Sequence, residues 1–362
     1  MYNMEELIYQ FSQIDYMSFL KFLNPVILYY VGSKVINKYK INKQFNPKAF
    51  KVSLPPELVR TNSDEEILTS LEPTIDEKIE KFSNIITNFV SKEYLINFYN
   101  NIRDLKLKQK KLNPKSKILD SSYDVTNNSL NVDIDIDEYV IYHELLHMAS
   151  SIYQNGIVYS GFNQASFNPA DGIVNVGVGL NEGYTELLNK TYFSQEKEIS
   201  TSEEYYYLTF IADRLKEVLG EDVMNKYYFS ADLSGLMNEL SKYMPKEHVE
   251  RFIIDTDFIF NHIGNKKSVV FERGKIEFCL KNINSFLIIC LYNKLSSELN
   301  DEKILFDKLF DYIETLPFEV KVFKHSYKLL TYDETIKYLK NYIVNNSLNN
   351  NEYSQDIKGK QK

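Results

Sequence analysis

The sequence predicts an α+β protein. It reads as mainly helical, with a small antiparallel sheet beside a helix carrying His143 and His147, and with a helical C-terminal lobe. Three observations predict this. Residues 206–219, 231–243 and 276–295 place apolar side chains at helical spacing. Leu130, Val132, Ile134 and Ile136 alternate with Asn131, Asp133, Asp135 and Asp137, the period of a strand with one buried face. The run Val140–Met148 is apolar except for His143, Glu144 and His147, which suits a helix with one polar stripe.

Residues 1–118 read as a mostly helical N-terminal region, broken at Asn46-Pro47, Pro55-Pro56 and Asn113-Pro114. The apolar stretch 17–36 is interrupted by Lys21, Asn24 and Pro25, so a buried helix is expected there rather than a membrane span. A basic run follows at Lys106, Lys108, Lys110, Lys111, Lys115 and Lys117, read as a solvated helix or loop. Residues 119–196 form the expected central core, which carries the hairpin and the helix with His143 and His147. Tyr123 and Val125 precede Asn127-Asn128-Ser129, which reads as a hairpin turn into the alternating strand. Asp133-x-Asp135-x-Asp137 resembles the start of a calcium loop, but Glu138 stands where that loop needs glycine, so a strand is expected. Segments 159–162 and 167–172 read as turns, and Ile173, Val174, Val176 and Val178 as a short strand leading into a second helix. Residues 197–345 carry the helical C-terminal lobe, and 346–362 read as a disordered polar tail.

The chemistry is concentrated in His143-Glu144-Leu145-Leu146-His147. Residues four apart share a helix face, so both imidazoles can point at one ion, and imidazole nitrogen suits zinc. Glu144 adjoins the first ligand, where its carboxylate can take a proton from a water at that ion. A catalytic zinc site needs a third protein ligand. The segment Asn181-Glu182-Gly183-Tyr184-Thr185-Glu186 offers Glu182 for this, and Glu186 one turn later could hydrogen-bond the outer nitrogen of a ligand histidine.

Through these two motifs the chain resembles the gluzincin metallopeptidases, which include thermolysin and the zinc aminopeptidases, over roughly residues 119–196. The resemblance implies one Zn2+ per chain held by His143, His147 and Glu182, with Glu144 as general base. Glu186 matches the family's carboxylate partner of a ligand histidine, although the family often has Asp there. The resemblance also implies that the 130–136 strand is the edge beside the zinc helix and that an extended substrate pairs with it. The metzincin pattern fails, because it needs Gly at 150 and His at 153, where this chain has Ser150 and Tyr153.

The expected function is zinc-dependent peptide hydrolysis on a peptide or protein substrate. The alternatives are a non-catalytic zinc-containing scaffold or interaction module, and zinc hydrolysis of a non-peptide substrate. A structural zinc site has no need of Glu144 as a base, which favours the enzyme. A net charge of −8 gives no support for nucleic-acid binding. Cys279 and Cys290 are spaced too far apart on a helix to bridge, about 16 Å, so buried thiols in a reducing compartment are expected. The N-terminus lacks a basic–apolar–small signal pattern, so a cytoplasmic location is expected, with delivery by a non-classical route as the alternative. With 28 tyrosines in the chain, an oxyanion donor is not assignable from sequence, and Tyr159, Tyr243, His248, His262 and His325 are expected to serve structure or surface.

Overall fold

Helix α1 (Glu77–Phe89) opens the described part of the chain with Ile79, Phe82 and Ile86 on one buried face. A computed structural model describes residues 77–109, 122–132, 138–168, 172–193, 205–263, 272–322 and 325–344. The readings at 17–36, 113–114, 133–137 and 346–362 lie outside them. Helix α2 (Ile96–Arg103) follows and leads into strand β1 (Lys106–Gln109). Part of the basic run is therefore a strand, not a helix or loop. Its pairing is parallel, with Lys106 opposite Ser129 and Gln109 opposite Val132. An outer strand tolerates lysines because one of its sides stays in water.

Strands β2 (Ser122–Asp124) and β3 (Ser129–Val132) form the expected hairpin. Its turn is closed by Asp124 Oδ1, which accepts from the Thr126 N–H at 3.0 Å, and by Asn128 at φ 46°. Asn tolerates that left-handed conformation. The order in the sheet is β1-β3-β2. This corrects one expectation: over Ser129–Val132 the strand is central and paired on both sides, so it is not an edge open to substrate. The outer strand that touches the metal-motif helix is β2.

That helix is α3 (Glu138–Ala149). After it, β4 (Ser151–Gln154), β5 (Ile157–Ser160), β6 (Asn163–Asn168) and β7 (Gly172–Val176) make an antiparallel meander in sequence order. The expected turn at 159–162 is thus half strand, and only Gly161 and Phe162 turn the chain. The β4–β5 turn is Asn155-Gly156, with φ 54° and 76°, the pair that a two-residue hairpin favours. Helix α4 (Val178–Leu188) leaves β7 and ends in a π turn over Asn189–Phe193.

The C-terminal part contains α5 (Tyr206–Leu219), α6 (Glu221–Phe229), α7 (Leu233–Leu240), α8 (Lys246–Ile263), α9 (Arg273–Glu298) and α10 (Glu302–Glu314). A hairpin of β8 (Glu319–Val322) and β9 (His325–Lys328) follows, then α11 over 332–344. The fold is α+β and mainly helical. Helix α9 is buried along most of its length, including Cys279 and Cys290, whose thiols are free. Burial pushes the Cys290 thiol up to about 12. Among the described residues, no helix is long and apolar enough to cross a membrane.

Two aromatic clusters fix the two metal-motif helices. Phe193 stacks on Phe82 at 4.9 Å and packs on Tyr142 at 5.2 Å, joining α1, α3 and the π turn. Phe162, Tyr184 and Tyr228 lie 5.2–5.4 Å apart, joining the β5–β6 turn, α4 and α6. Rings at such separations add to the area that they bury.

Candidate metal centre

Helix α3 buries Ile141, Tyr142, Leu145, Leu146, Met148 and Ala149. That broad apolar face turns the opposite stripe, His143, Glu144 and His147, away from the core. The two rings converge, with their Nε2 atoms 3.2 Å apart. Glu182 comes from α4. Its Oε2 lies 3.3 Å from His143 Nε2, and its Oε1 lies 3.5 Å from His147 Nε2. Ligand atoms of all three residues fall within 4.8 Å of one another, and among the described residues this is the one such cluster. A tetrahedron with metal–ligand bonds of 2.0–2.1 Å has edges of about 3.3 Å. The His143 Nε2–His147 Nε2 and His143 Nε2–Glu182 Oε2 spacings match those edges, so two imidazoles and a carboxylate could hold one zinc-sized cation. The three side chains keep 15%, 14% and 17% of their exposure, so the cluster is recessed yet reachable.

The charges here are mutually dependent. Burial disfavours a charged His143 ring, but hydrogen bonds with Glu182 and Glu186 outweigh it and hold its pKa well above the usual value. Burial also disfavours a charged Glu182. The His147 charge and hydrogen bonds with both rings outweigh it and hold this carboxyl far below its usual range. A cation at this point would take over the neutralising part that protons play, which links metal binding to proton release.

The outer ring nitrogens also meet partners. Glu186 Oε2 lies 3.4 Å from His143 Nδ1, and the side chain is 4% exposed. The Tyr139 hydroxyl donates to Glu186 Oε1 at 2.5 Å, which pins the longer Glu arm from the other side. The structure thus brings Glu186 to His143 rather than to His147. At His147 the partner is Asn181, whose Nδ2 lies 3.4 Å from Nδ1 while its Oδ1 accepts from the Phe162 N–H at 3.0 Å. Sequence reasoning assigned no role to Asn181 or Tyr139. Signals existed for both: Asn181 directly precedes Glu182, and Tyr139 lies one helical turn before His143 on the same face.

Glu144 is held by β2. The Tyr123 backbone N–H donates to its Oε2 at 2.7 Å. Tyr123 sits opposite Leu130 in the hairpin, and this N–H points outward from the sheet. Burial raises the Glu144 carboxyl pKa, partly offset by the charges of His147 and His143.

The other histidines and tyrosines lie elsewhere. His262 is buried, its Nδ1 2.6 Å from the Phe258 carbonyl oxygen and its Nε2 2.9 Å from Glu272, a structural arrangement. Tyr159 is buried in β5, His248 is exposed in the first turn of α8, and His325 opens β9. Tyr228 is fully buried behind the site, with its hydroxyl 2.6 Å from Thr185 Oγ1. No protein-family model, curated protein or solved structure matches this chain.

Proposed function

We propose that this protein is a zinc-dependent metallopeptidase of the gluzincin kind. His143, His147 and Glu182 would hold the metal, and Glu144 would be the general base. The observation that carries this reading is the combination of tetrahedral ligand spacing with a carboxylate fixed beside it that belongs to no ligand pair. Zinc bound there supplies a Lewis acid that polarises a carbonyl and acidifies a water by several pK units. Glu144 takes the proton of the attacking water. Its Oε2 is anchored by the Tyr123 N–H, which would leave Oε1 for the proton transfer. The same carboxyl then delivers that proton to the departing amine, so proton and leaving group balance. Glu186 and Asn181 keep the two imidazoles in place during this exchange. An extended substrate would pair with β2, the outer strand beside α3, rather than with β3.

Glu144→Gln tests the reading. It removes the base but no ligand, so cleavage of a peptide found by library screening should fall by at least about 100-fold while zinc stays bound. Undiminished cleavage by the zinc-loaded variant contradicts the mechanism. A wild type that binds zinc but cleaves no member of the library supports the scaffold reading instead.

A further inference from the structure

Glu182 is only as well placed as the helix that carries it. Helix α4 starts at Val178, and its N-cap residue is Gly177, which has no side chain to accept from the first turn. The usual N-cap residues, Ser, Thr, Asp and Asn, accept from a first-turn N–H themselves. Gly177 cannot be replaced by one of these. Its φ is 78°, and a Cβ there would lie 2.0 Å from the Phe162 carbonyl oxygen.

The missing acceptor comes from α8, 80 residues away in sequence. Asp257 Oδ2 accepts from the Gly177 N–H at 2.7 Å, and Asp257 Oδ1 accepts from the Gly179 N–H at 2.9 Å. One carboxylate thus spans the N-cap and the second helical residue. The contact is close because of Gly179, where a Cβ would stand 2.5 Å from the carbonyl oxygen of Thr256, the neighbour of Asp257. Backbone therefore meets backbone, and Asp257 is 92% buried over the helix end, being 8% exposed. The positive end of the helix dipole favours a negative charge at this point. The first helical bond, from the Asn181 N–H to the Gly177 carbonyl at 2.9 Å, starts from the residue that Asp257 holds. Asn181 and Glu182 follow directly, within the next turn.

We propose that Asp257 is a positioning residue for the metal centre, capping α4 in place of Gly177 and so fixing the directions of Asn181 and Glu182. This rests on the zinc reading of His143, His147 and Glu182. Asn has nearly the shape of Asp but presents an amide nitrogen to one of the two N–H donors, so it can satisfy only one. Asp257→Ala satisfies neither.

The test uses the full chain, well below its unfolding temperature. Zinc affinity is measured by competition with a chromophoric chelator, for the wild type and for Asp257→Asn, alone and combined with Glu182→Gln. Asp257→Asn should weaken zinc binding about tenfold, the scale on which indirect supports of a metal ligand act. In the Glu182→Gln background it should cause a smaller further loss, because only Asn181 at His147 is left for it to position. A purely structural residue would cause the same loss in both backgrounds. Amide exchange should quicken over 177–183 and stay unchanged over 138–149. Equal zinc affinity for wild type and Asp257→Asn overturns the inference and leaves the zinc reading intact, as does an equal loss in both backgrounds. A wild type without zinc affinity overturns both. If Asp257→Ala does not fold, Asp257→Asn decides alone.

Discussion

Helices α3 and α4 face each other across the candidate metal centre, yet their ligands are specified by different means. Helix α3 brings two ligands by spacing alone, since His143 and His147 are one turn apart on one face. Its C-terminal end is tied down by Asn101 of α2, which donates to the Met148 carbonyl oxygen at 2.8 Å and to that of Ser151 at 2.6 Å. Helix α4 brings one ligand, and no spacing within one motif relates that ligand to the other two, so its place depends on the segments packed against α4. The Asp257 carboxylate, the Thr256 backbone against Gly179 and the Leu208 backbone against Gly183 set its position. The difference teaches that a five-residue motif can prescribe two ligands, whereas the third is prescribed by tertiary packing.

The largest expected effects separate ligands from their supports. Glu182→Gln should lower zinc affinity more than Glu186→Gln, because Glu182 faces both histidine Nε2 atoms and Glu186 faces only the outer nitrogen of His143. Glu186→Gln should cost about 10–100-fold. Chelator competition measures both, and a larger loss for Glu186→Gln would reverse the assignment. Next comes packing. Gly179→Ala should destabilise the protein by about 1–3 kcal/mol, since its Cβ would meet the Thr256 backbone at 2.5 Å. Gly274→Ala in α9 has open space around it and should instead stabilise by about 0.5–1 kcal/mol. Denaturant unfolding gives both signs, and destabilisation by Gly274→Ala with none by Gly179→Ala would break the packing account.

A pH slope tests the placement of Asp257. Burial raises the Asp257 carboxyl to about 7, only partly offset by the Gly179 and Gly177 N–H groups. Its folded pKa therefore lies above its unfolded value of 3.8. The folded protein binds this proton more tightly, so the contribution to stability is full below about pH 4 and lost as pH rises towards 7. Wild-type stability minus that of Asp257→Asn should fall across that window and level off above it. A difference that rises with pH would contradict the placement of this buried carboxylate. The ionised form fits two N–H donors at a cost in stability, a trade common at functional sites.

What the sequence made legible follows the same division. The period of 3.6 marked 206–219, which is α5 residue for residue, and it located α9 to within a few positions. The polar stripe of α3 was equally local. Strand β1 was missed because its lysines look like a solvated helix or loop, and only its pairing with β3 reveals a strand. Of the β4–β7 meander only β7 is legible, in the run Ile173, Val174 and Val176, while β4–β6 do not stand out as strands, although Asn155-Gly156 carries a hairpin signal. The central place of β3 could not be read from its alternation, because a period of two gives the faces of a strand but not its neighbours. Asp257 was illegible for the strongest reason: nothing around it in sequence distinguishes a carboxylate that caps a helix 80 residues away.

The central claim is that His143, His147 and Glu182 form one zinc site, and metal content tests it most directly. Protein purified without chelator should contain about one zinc per chain, and a His143→Ala/His147→Ala double variant, still folded by circular dichroism, should contain almost none. A wild type free of zinc after incubation with the metal, or a double variant that keeps the same zinc, would contradict the account.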